Sequence, residues 1–189
     1  MNPSESYQTW FSSDHHFGHA NIINYCNRPF ASVWEMDEAL IYNHNKVVSP
    51  NDLVYFLGDF TFYKDAGQVN EILHKMNGRK TLVMGNHDED FHFDLSGWAF
   101  VHFRHEEVEF LTSKFPCTLN HFPMLSWNQS HRGAFHLHGH THGGLPFDPT
   151  IRRIDVGVDC WDYTPVNAQT LWDKLSKVPI EKKRYEKPT

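Results

Sequence analysis

The chain is predicted to fold as an α+β domain with two packed sheets, and three observations lead there. Two uninterrupted apolar runs, Leu53-Val54-Tyr55-Phe56-Leu57 and Thr81-Leu82-Val83-Met84, flank an amphipathic helical stretch. That pattern fits a mostly parallel sheet covered by helices. Beyond residue 100 the pattern changes to five short β-favouring segments separated by loops. A helical stretch near the C-terminus follows, and neither an internal repeat nor a linker divides the 189 residues. A single domain, residues 1–189, is the economical reading.

Taken in order, residues 7–13 contain Thr9-Trp10-Phe11, a β-favouring run that delivers Asp14 at its carboxyl end. Ser32-Val33-Trp34-Glu35 has the form of a capping box, and Met36, Leu40 and Val47 then share one helical face. Ser49-Pro50-Asn51-Asp52 stops that helix. The 53–57 run suits a strand buried on both faces and ends at Gly58-Asp59. Asp65 can cap a second helix, on which Val69, Ile72, Leu73 and Met76 recur at i, i+3, i+4 and i+7 before Gly78 ends it. The 81–84 strand delivers Gly85-Asn86-His87-Asp88. Residues 101–103, 108–111, 118–120, 134–137 and 151–158 read as short strands. Thr164-Pro165 opens the last helix, where Ala168, Leu171, Trp172 and Leu175 line one face, and Pro179 closes it. Polar residues thus sit at the carboxyl ends of the first-half strands, the edge where open α/β sheets bind ligands.

Composition narrows the function. A net charge of −6 argues against broad electrostatic binding to long nucleic acid. In the tail, Lys182-Lys183-Arg184 is interleaved with Glu181 and Glu186, so residues 181–189 read as an exposed end. The opening residues lack the layout of a signal peptide, and the apolar stretches are too short to span a bilayer. Cys26, Cys117 and Cys160, with no C-x-x-C pair, read as free thiols serving as small packing residues in a reducing, cytoplasmic setting. Oligomeric state has no signature here. Fifteen histidines, against seven tyrosines and six tryptophans, are too many for packing alone.

Four polar islands follow one another: Asp14-His15-His16, Gly58-Asp59, Gly85-Asn86-His87-Asp88 and Gly139-His140-Thr141-His142. With His121 they supply two carboxylates, one amide oxygen and four imidazoles, a donor set suited to two divalent ions. Asp14 and His16 fall on one side of an extended segment and can chelate one ion, although a capping Asp beside a surface His has the same form. Asp59 is either an ordinary turn residue or a carboxylate bridging ions about 3.5–4 Å apart. Gly85-Asn86 suits a turn. Yet Asn86 offers an oxygen ligand, His87 a proton-transfer group, and Asp88 a partner to orient that imidazole. His140 and His142 can reach neighbouring ions, the alternative being a His-rich surface loop. Taken alone, His121 would pass for a core or edge residue. The joint occurrence of four islands, each at a strand end, favours metal-assisted hydrolysis over coincidence.

The set D-x-H, G-D, G-N-H-D, lone H and G-H-x-H, spanning residues 14–142, resembles the calcineurin-like metallophosphoesterase superfamily. The stretch Ser13-Asp14-His15-His16-Phe17-Gly18-His19-Ala20-Asn21-Ile22-Ile23 is similar to its small bacterial and phage-type members. The resemblance implies a four-layer α/β/β/α sandwich of two mixed sheets flanked by helices, the metallo-dependent phosphatase fold. It implies one metal ion on Asp14, His16, Asp59 and His142, and a second on Asp59, Asn86, His121 and His140. Mn²⁺ is the expected ion, with Ni²⁺, Fe²⁺ and Zn²⁺ as alternatives. A water shared by the ions would attack phosphorus, with His87, oriented by Asp88, as the proton-transfer catalyst. The expected activity is hydrolysis of phosphodiesters, small organic phosphates or nucleotides, with phosphomonoesters as the alternative. Two departures from the Ser/Thr protein phosphatases, Phe60-Thr61-Phe62-Tyr63-Lys64 where they carry an Arg and Asp88 where they carry Glu, argue against that class.

Other residues stay open. His19, Asn21 and Arg28 serve either in packing at a helix start or in phosphate contact, with Arg28 as a bidentate clamp. His136 and His138 are expected as surface groups or as supports behind the ligands; His15, His44 and His131 have no assignment; His74, His92, His102 and His105 read as surface or packing residues. Loops 17–31, 60–66 and 122–133 are expected to shape the substrate pocket. Two competing readings are a metal-binding scaffold without catalysis, and a nuclease or nucleotide-processing enzyme. In the latter Trp127, Phe135 or Trp161 would stack on bases, the bland alternative for each being a core aromatic.

Overall fold

The computed structural model describes residues 7–88, 97–98, 100–102, 108–111 and 116–180. The order of elements is β1 (Thr9–Ser12), α1 (Ala20–Tyr25), α2 (Val33–Val47), β2 (Leu53–Phe56), α3 (Ala66–Lys75), β3 (Arg79–Val83), β4 (Phe100–His102), β5 (Val108–Leu111), β6 (Pro116–Leu119), β7 (Phe135–His138), β8 (Arg153–Asp155), β9 (Val166–Asn167) and α4 (Ala168–Leu175). Short 3₁₀ turns occupy Ser130–Arg132 and Val158–Cys160. Among the described residues, no helix is long and apolar enough to cross a membrane. The tail at 181–189, His92 and His105 lie outside the described residues.

Helix starts follow local chemistry. The Ser32 hydroxyl accepts the Glu35 N–H at 3.1 Å, and the Glu35 carboxylate reaches back to the Ala31 N–H at 2.7 Å. Asp65 accepts the Gln68 N–H at 2.9 Å. The last helix departs from expectation. It begins at Ala168 with Asn167 as its cap, because Val166 and Asn167 first pair antiparallel with Phe11 and Trp10. Two strand residues carry too little periodicity to be read from sequence.

Two sheets result, ordered β4-β3-β2-β1-β9 and β5-β6-β7-β8. In the first, β1 to β4 are mutually parallel and β9 is antiparallel. In the second, β6, β7 and β8 are parallel and β5 is antiparallel. Register places the site. Ser12 lies opposite Phe56, and Phe56 opposite Leu82, so the segments after β1, β2 and β3 leave the sheet at one level. The two sheets meet at their carboxyl edges, where Ser13 bridges Gly157 and its carbonyl accepts the Val158 N–H at 3.0 Å.

One core packs α1, α2 and α3 on the first sheet through Ile22, Met36, Leu40, Leu73, Val54 and Phe56. A second fills the space between the sheets with Phe11, Leu57, Val83, Leu119, Phe135 and Leu137, and takes in Leu171 and Leu175 of α4. Of the four expected layers, the described residues thus show helices, sheet and sheet. The outward face of the second sheet carries the 122–134 segment: Trp127 lies 5.3 Å from the His136 ring, and the Met124 N–H donates to its Nε2 at 3.1 Å. His136 is therefore buried; His138 is buried as well, so neither is a surface group. His15 and His44 are also core residues, their rings 5.1 and 5.9 Å from Phe56. Of the cysteines, Cys117 is a buried packing residue, whereas Cys160 is exposed.

Candidate metal centre

The carboxyl edges of both sheets converge on one cleft. From the first sheet come Asp14 and His16 after β1, Asp59 after β2, and Asn86 and His87 after β3; from the second come His121 after β6, and His140 and His142 after β7. The loops after β1 and β2 run side by side, with the N–H groups of Asp14, His16 and Phe17 donating to the carbonyls of Gly58, Asp59 and Phe60, each at 3.0 Å. Asp14, His16, Asp59, His140 and His142 all have φ between 47° and 71°. They are five of the nine described non-glycine residues in the left-handed region, where L residues are strained by about 1–3 kcal/mol each. Such strain is thus concentrated in the residues of one cleft.

Close approach does the rest. A side chain at Gly139 would collide with the Ser13 hydroxyl and the Asp14 carboxylate, and one at Gly85 with the Asp59 carboxylate. Glycine at these points lets the second sheet's loop and the loop after β3 lie against the buried acids.

Two groups of donor atoms form, each with its atoms within 4.8 Å of one another: Asp14, His16 and His142, and Asp59, His121 and His140. Asp59 Oδ2 stands between them, 3.7 Å from His16 Nε2 and 3.5 Å from His121 Nε2. His142 Nε2 is 3.9 Å from Asp14 Oδ1. These separations are too long for hydrogen bonds. They resemble those between ligands on a shared ion with bonds of about 2.1 Å. Both ring nitrogens of His16 are buried without a hydrogen-bond partner, and an ion on Nε2 would satisfy one of them. The remaining imidazoles are aimed from behind. His121 Nδ1 donates to the Leu57 carbonyl at 2.7 Å and His142 Nδ1 to Asp159 at 2.7 Å, leaving each Nε2 toward the cleft. Asn86 Oδ1 lies 3.1 Å from His121 Nε2. On donor chemistry and spacing, the residues fit divalent metal ions.

Protonation reflects the crowding. Burial pushes the Asp14 carboxyl up to about 7, with His121 and His142 pulling the other way. Burial opposes ionisation of Asp59 too, but the nearby His121 imidazole, helped by the His87 N–H, outweighs it and holds the carboxyl at about 2. Burial disfavours charge on His121 and is overcome by Asp59 and Asp14, which raise it to about 9. His16, with nothing to offset burial fully, falls to about 2. A cation would invert this balance, since it favours neutral imidazole and ionised carboxylate.

Two expected roles are corrected. Asp88 does not orient His87: its buried carboxylate accepts the N–H groups of Asp59, Phe60 and Gly85 at 2.7, 2.9 and 2.7 Å, tying the two central islands together. Arg28 is no phosphate clamp. Its side chain is fully buried, and its five N–H donors are engaged by Asp159 Oδ1 and Oδ2, the carbonyls of Asp14 and His15, and Met36 Sδ.

His87 is exposed at the rim, its N–H held by Asp59 Oδ1 at 2.9 Å. The cleft, about 770 Å³, is walled on one side by His19, Tyr25 and Phe62. His19 stacks on Phe62 at 3.9 Å, and Phe62 also lies 4.9 Å from His87. Trp127 and Phe135 are core aromatics. Trp161 packs against the inter-sheet core and is not among the cleft's lining residues. Nor do residues 122–133, expected to shape the pocket, line the cleft. Sequence reading missed Asp159, whereas Tyr25 and Phe62 fall within loops 17–31 and 60–66, expected to shape the pocket. Asp159 carried a usable signal, an acid directly after the apolar run Val156-Gly157-Val158, as Asp59 follows Leu57-Gly58.

No protein-family model matches the chain. It is 37% identical over 171 residues to the uncharacterized protein MJ1445 of Methanocaldococcus jannaschii, covering 87% of this chain and 89% of that one. It is 30% identical to the Gene 66 protein of Mycobacterium phage L5, covering 92% and 96%. Its structure resembles the crystal structure of AQ665 of Aquifex aeolicus, a protein of unknown function, with a TM-score of 0.72 at 28% identity over 90% of this chain and 100% of that one. The chain belongs to the same protein family as MJ1445.

Proposed function

We propose that this member of the MJ1445 family is a dinuclear metal-dependent phosphoric ester hydrolase of the metallophosphoesterase type, acting on phosphodiesters or small organic phosphates, nucleotides included. The observation that carries the reading is the placement of Asp59 Oδ2 between two His/Asp groups. Asp14, His16, Asp59 and His142 would hold one ion, and Asp59, Asn86, His121 and His140 the other, Mn²⁺ being the first candidate. When bound, the ions supply positive charge to a phosphate's oxygens and lower the pKa of a water toward neutrality. In this reading the fold is the metallo-dependent phosphatase sandwich.

The chain's own residues do the remainder. The backbone bond from His87 N–H to Asp59 Oδ1 keeps its exposed ring beside the centre, where it can donate a proton to the leaving oxygen. His19, flat against Phe62 on the cleft wall, is in position to touch the esterified phosphate or its alcohol.

The test is hydrolysis of bis(4-nitrophenyl) phosphate and 4-nitrophenyl phosphate with Mn²⁺, Ni²⁺ or Zn²⁺ added to chelator-treated protein. Turnover should require metal, and His87→Ala should lower it by about 10²–10⁴-fold. Full activity in Asn86→Ala or His87→Ala would overturn the mechanism. Metal binding with every ester untouched would mark a binding scaffold instead.

A further inference from the structure

Arg28 and Asp159 lie 131 residues apart in sequence and meet in a buried pair beside the cleft. The guanidinium fork grips the carboxylate twice, Nε to Oδ1 at 2.8 Å and Nη2 to Oδ2 at 2.8 Å. Oδ2 also accepts from His142 Nδ1 at 2.7 Å. On its other side the same guanidinium donates to the Asp14 carbonyl at 2.7 Å and the His15 carbonyl at 2.9 Å. One cation therefore braces the backbone that carries Asp14 and, through Asp159, the ring of His142. Asp159 itself sits in the Val158–Cys160 turn, pinned by the Val158 N–H on the Ser13 carbonyl.

We infer that Arg28 and Asp159 are positioning residues for the ion assigned to Asp14, His16 and His142, an inference that rests on the two-ion reading above. Asp159 makes His142 Nδ1 the donor and Nε2 the free nitrogen, and it fixes the ring plane. Arg28 holds Asp159 at the right height and sets the left-handed turn at Asp14 from which that carboxylate projects. The other group has no part in this brace, since His121 is aimed by the Leu57 carbonyl. Cys26 also lies near His142 and Asp159. That trio is a poor cation site, because Asp159 is already neutralised by Arg28 and both its oxygens are engaged.

The distinguishing consequence is asymmetric loss of metal. Mn²⁺ alone is titrated into chelator-treated full-length protein by calorimetry, with folding checked by circular dichroism in the same samples. Wild type should take up two ions. Asp159→Asn should keep one at wild-type affinity and weaken the other by about 10–100-fold. Arg28→Lys, which keeps the charge and loses the fork, should weaken the same ion by a smaller factor. His140→Ala should weaken the opposite ion, and its effect should add independently to that of Asp159→Asn. Asp159→Ala would leave Arg28 buried and unpaired, so Asp159→Asn is the variant that decides if the alanine form does not fold. Equal weakening of both ions, or two ions at full affinity in Asp159→Asn, would overturn the positioning role. A wild type binding fewer than two ions would overturn the two-ion reading, and this inference with it.

Discussion

The two sheets contribute different chemistry to the same cleft. The first supplies both carboxylates and the amide, Asp14, Asp59 and Asn86, with a single imidazole from His16; the second supplies imidazoles only, from His121, His140 and His142. Each candidate group draws on both edges, Asp14 and His16 with His142, and Asp59 with His121 and His140. The first sheet gives two of the three residues of one group and the second sheet two of the three of the other, so neither edge alone can compose a site. Direct backbone links between the edges exist, including Val158 N–H on the Ser13 carbonyl, but they are few. A bound cation would therefore act as a staple between layers as well as a reagent.

The largest effect is expected at Asp59, among the described residues the one carboxylate within 4 Å of imidazoles from both sheets. Asp59→Ala should abolish binding of both ions and reduce any metal-dependent turnover by about 10³-fold or more, the scale of losing the charge that stabilises the transition state. Calorimetric titration with Mn²⁺ would read the first effect and an ester assay the second. A variant that still binds one ion tightly would show that the two groups are independent and that Asp59 serves only one of them.

A smaller effect follows from the staple itself. Metal at a hundred times its dissociation constant should stabilise the folded chain by about 2.7 kcal/mol for each independent ion. In a chain of this length that is a rise in Tm of several degrees, about 2–4 °C per kcal/mol. Differential scanning calorimetry with Mn²⁺ and with chelator would measure it. Identical melting in both conditions would mean that the edges are fully organised by protein contacts alone.

How much of this was legible in the chain depends on what fixed each residue. The islands were readable because each follows an apolar run and the residues that bear them alternate or turn locally. Asp65 and Ser32 were readable for the same reason, since a cap is decided within three residues. Arg28 was misread because its partner Asp159 lies far along the chain, and nothing local distinguishes a buried clamp from a phosphate ligand. Asp88 was misread because its three bonds go to backbone N–H groups, which carry no residue signature. His136 and His138 do point outward by strand alternation. They are buried because irregular segments cover that face, Met124 and Trp127 lying against His136 and residues 145–151 beside His138, and such segments have no periodicity to announce what they cover.

The smallest expected effect sets the sheets against each other by acid, through core histidines that take no part in the cleft. His44 packs beneath the first sheet, its Nε2 2.9 Å from the Asn77 carbonyl, and burial holds its pKa at about 4. His136 lies behind the second sheet, its Nδ1 3.1 Å from the Thr118 carbonyl, and burial holds it at about 3. Both folded values lie below the ordinary 6.5. The unfolded chain therefore binds the proton more readily, and the stability present above pH 6.5 is lost as pH falls toward the folded values. At pH 5 each ring should cost up to about 2 kcal/mol. Urea unfolding at pH 7 and pH 5 in chelator would read it as the difference between wild type and His44→Gln or His136→Gln, so that titration of the cleft residues cancels. Each variant should flatten the pH dependence by about that amount, and below pH 4 the His136 variant should separate further, because its folded pKa is lower. Equal pH dependence in wild type and both variants would mean that neither sheet pays for its buried imidazole in acid, and that acid loosens the molecule at the cleft instead.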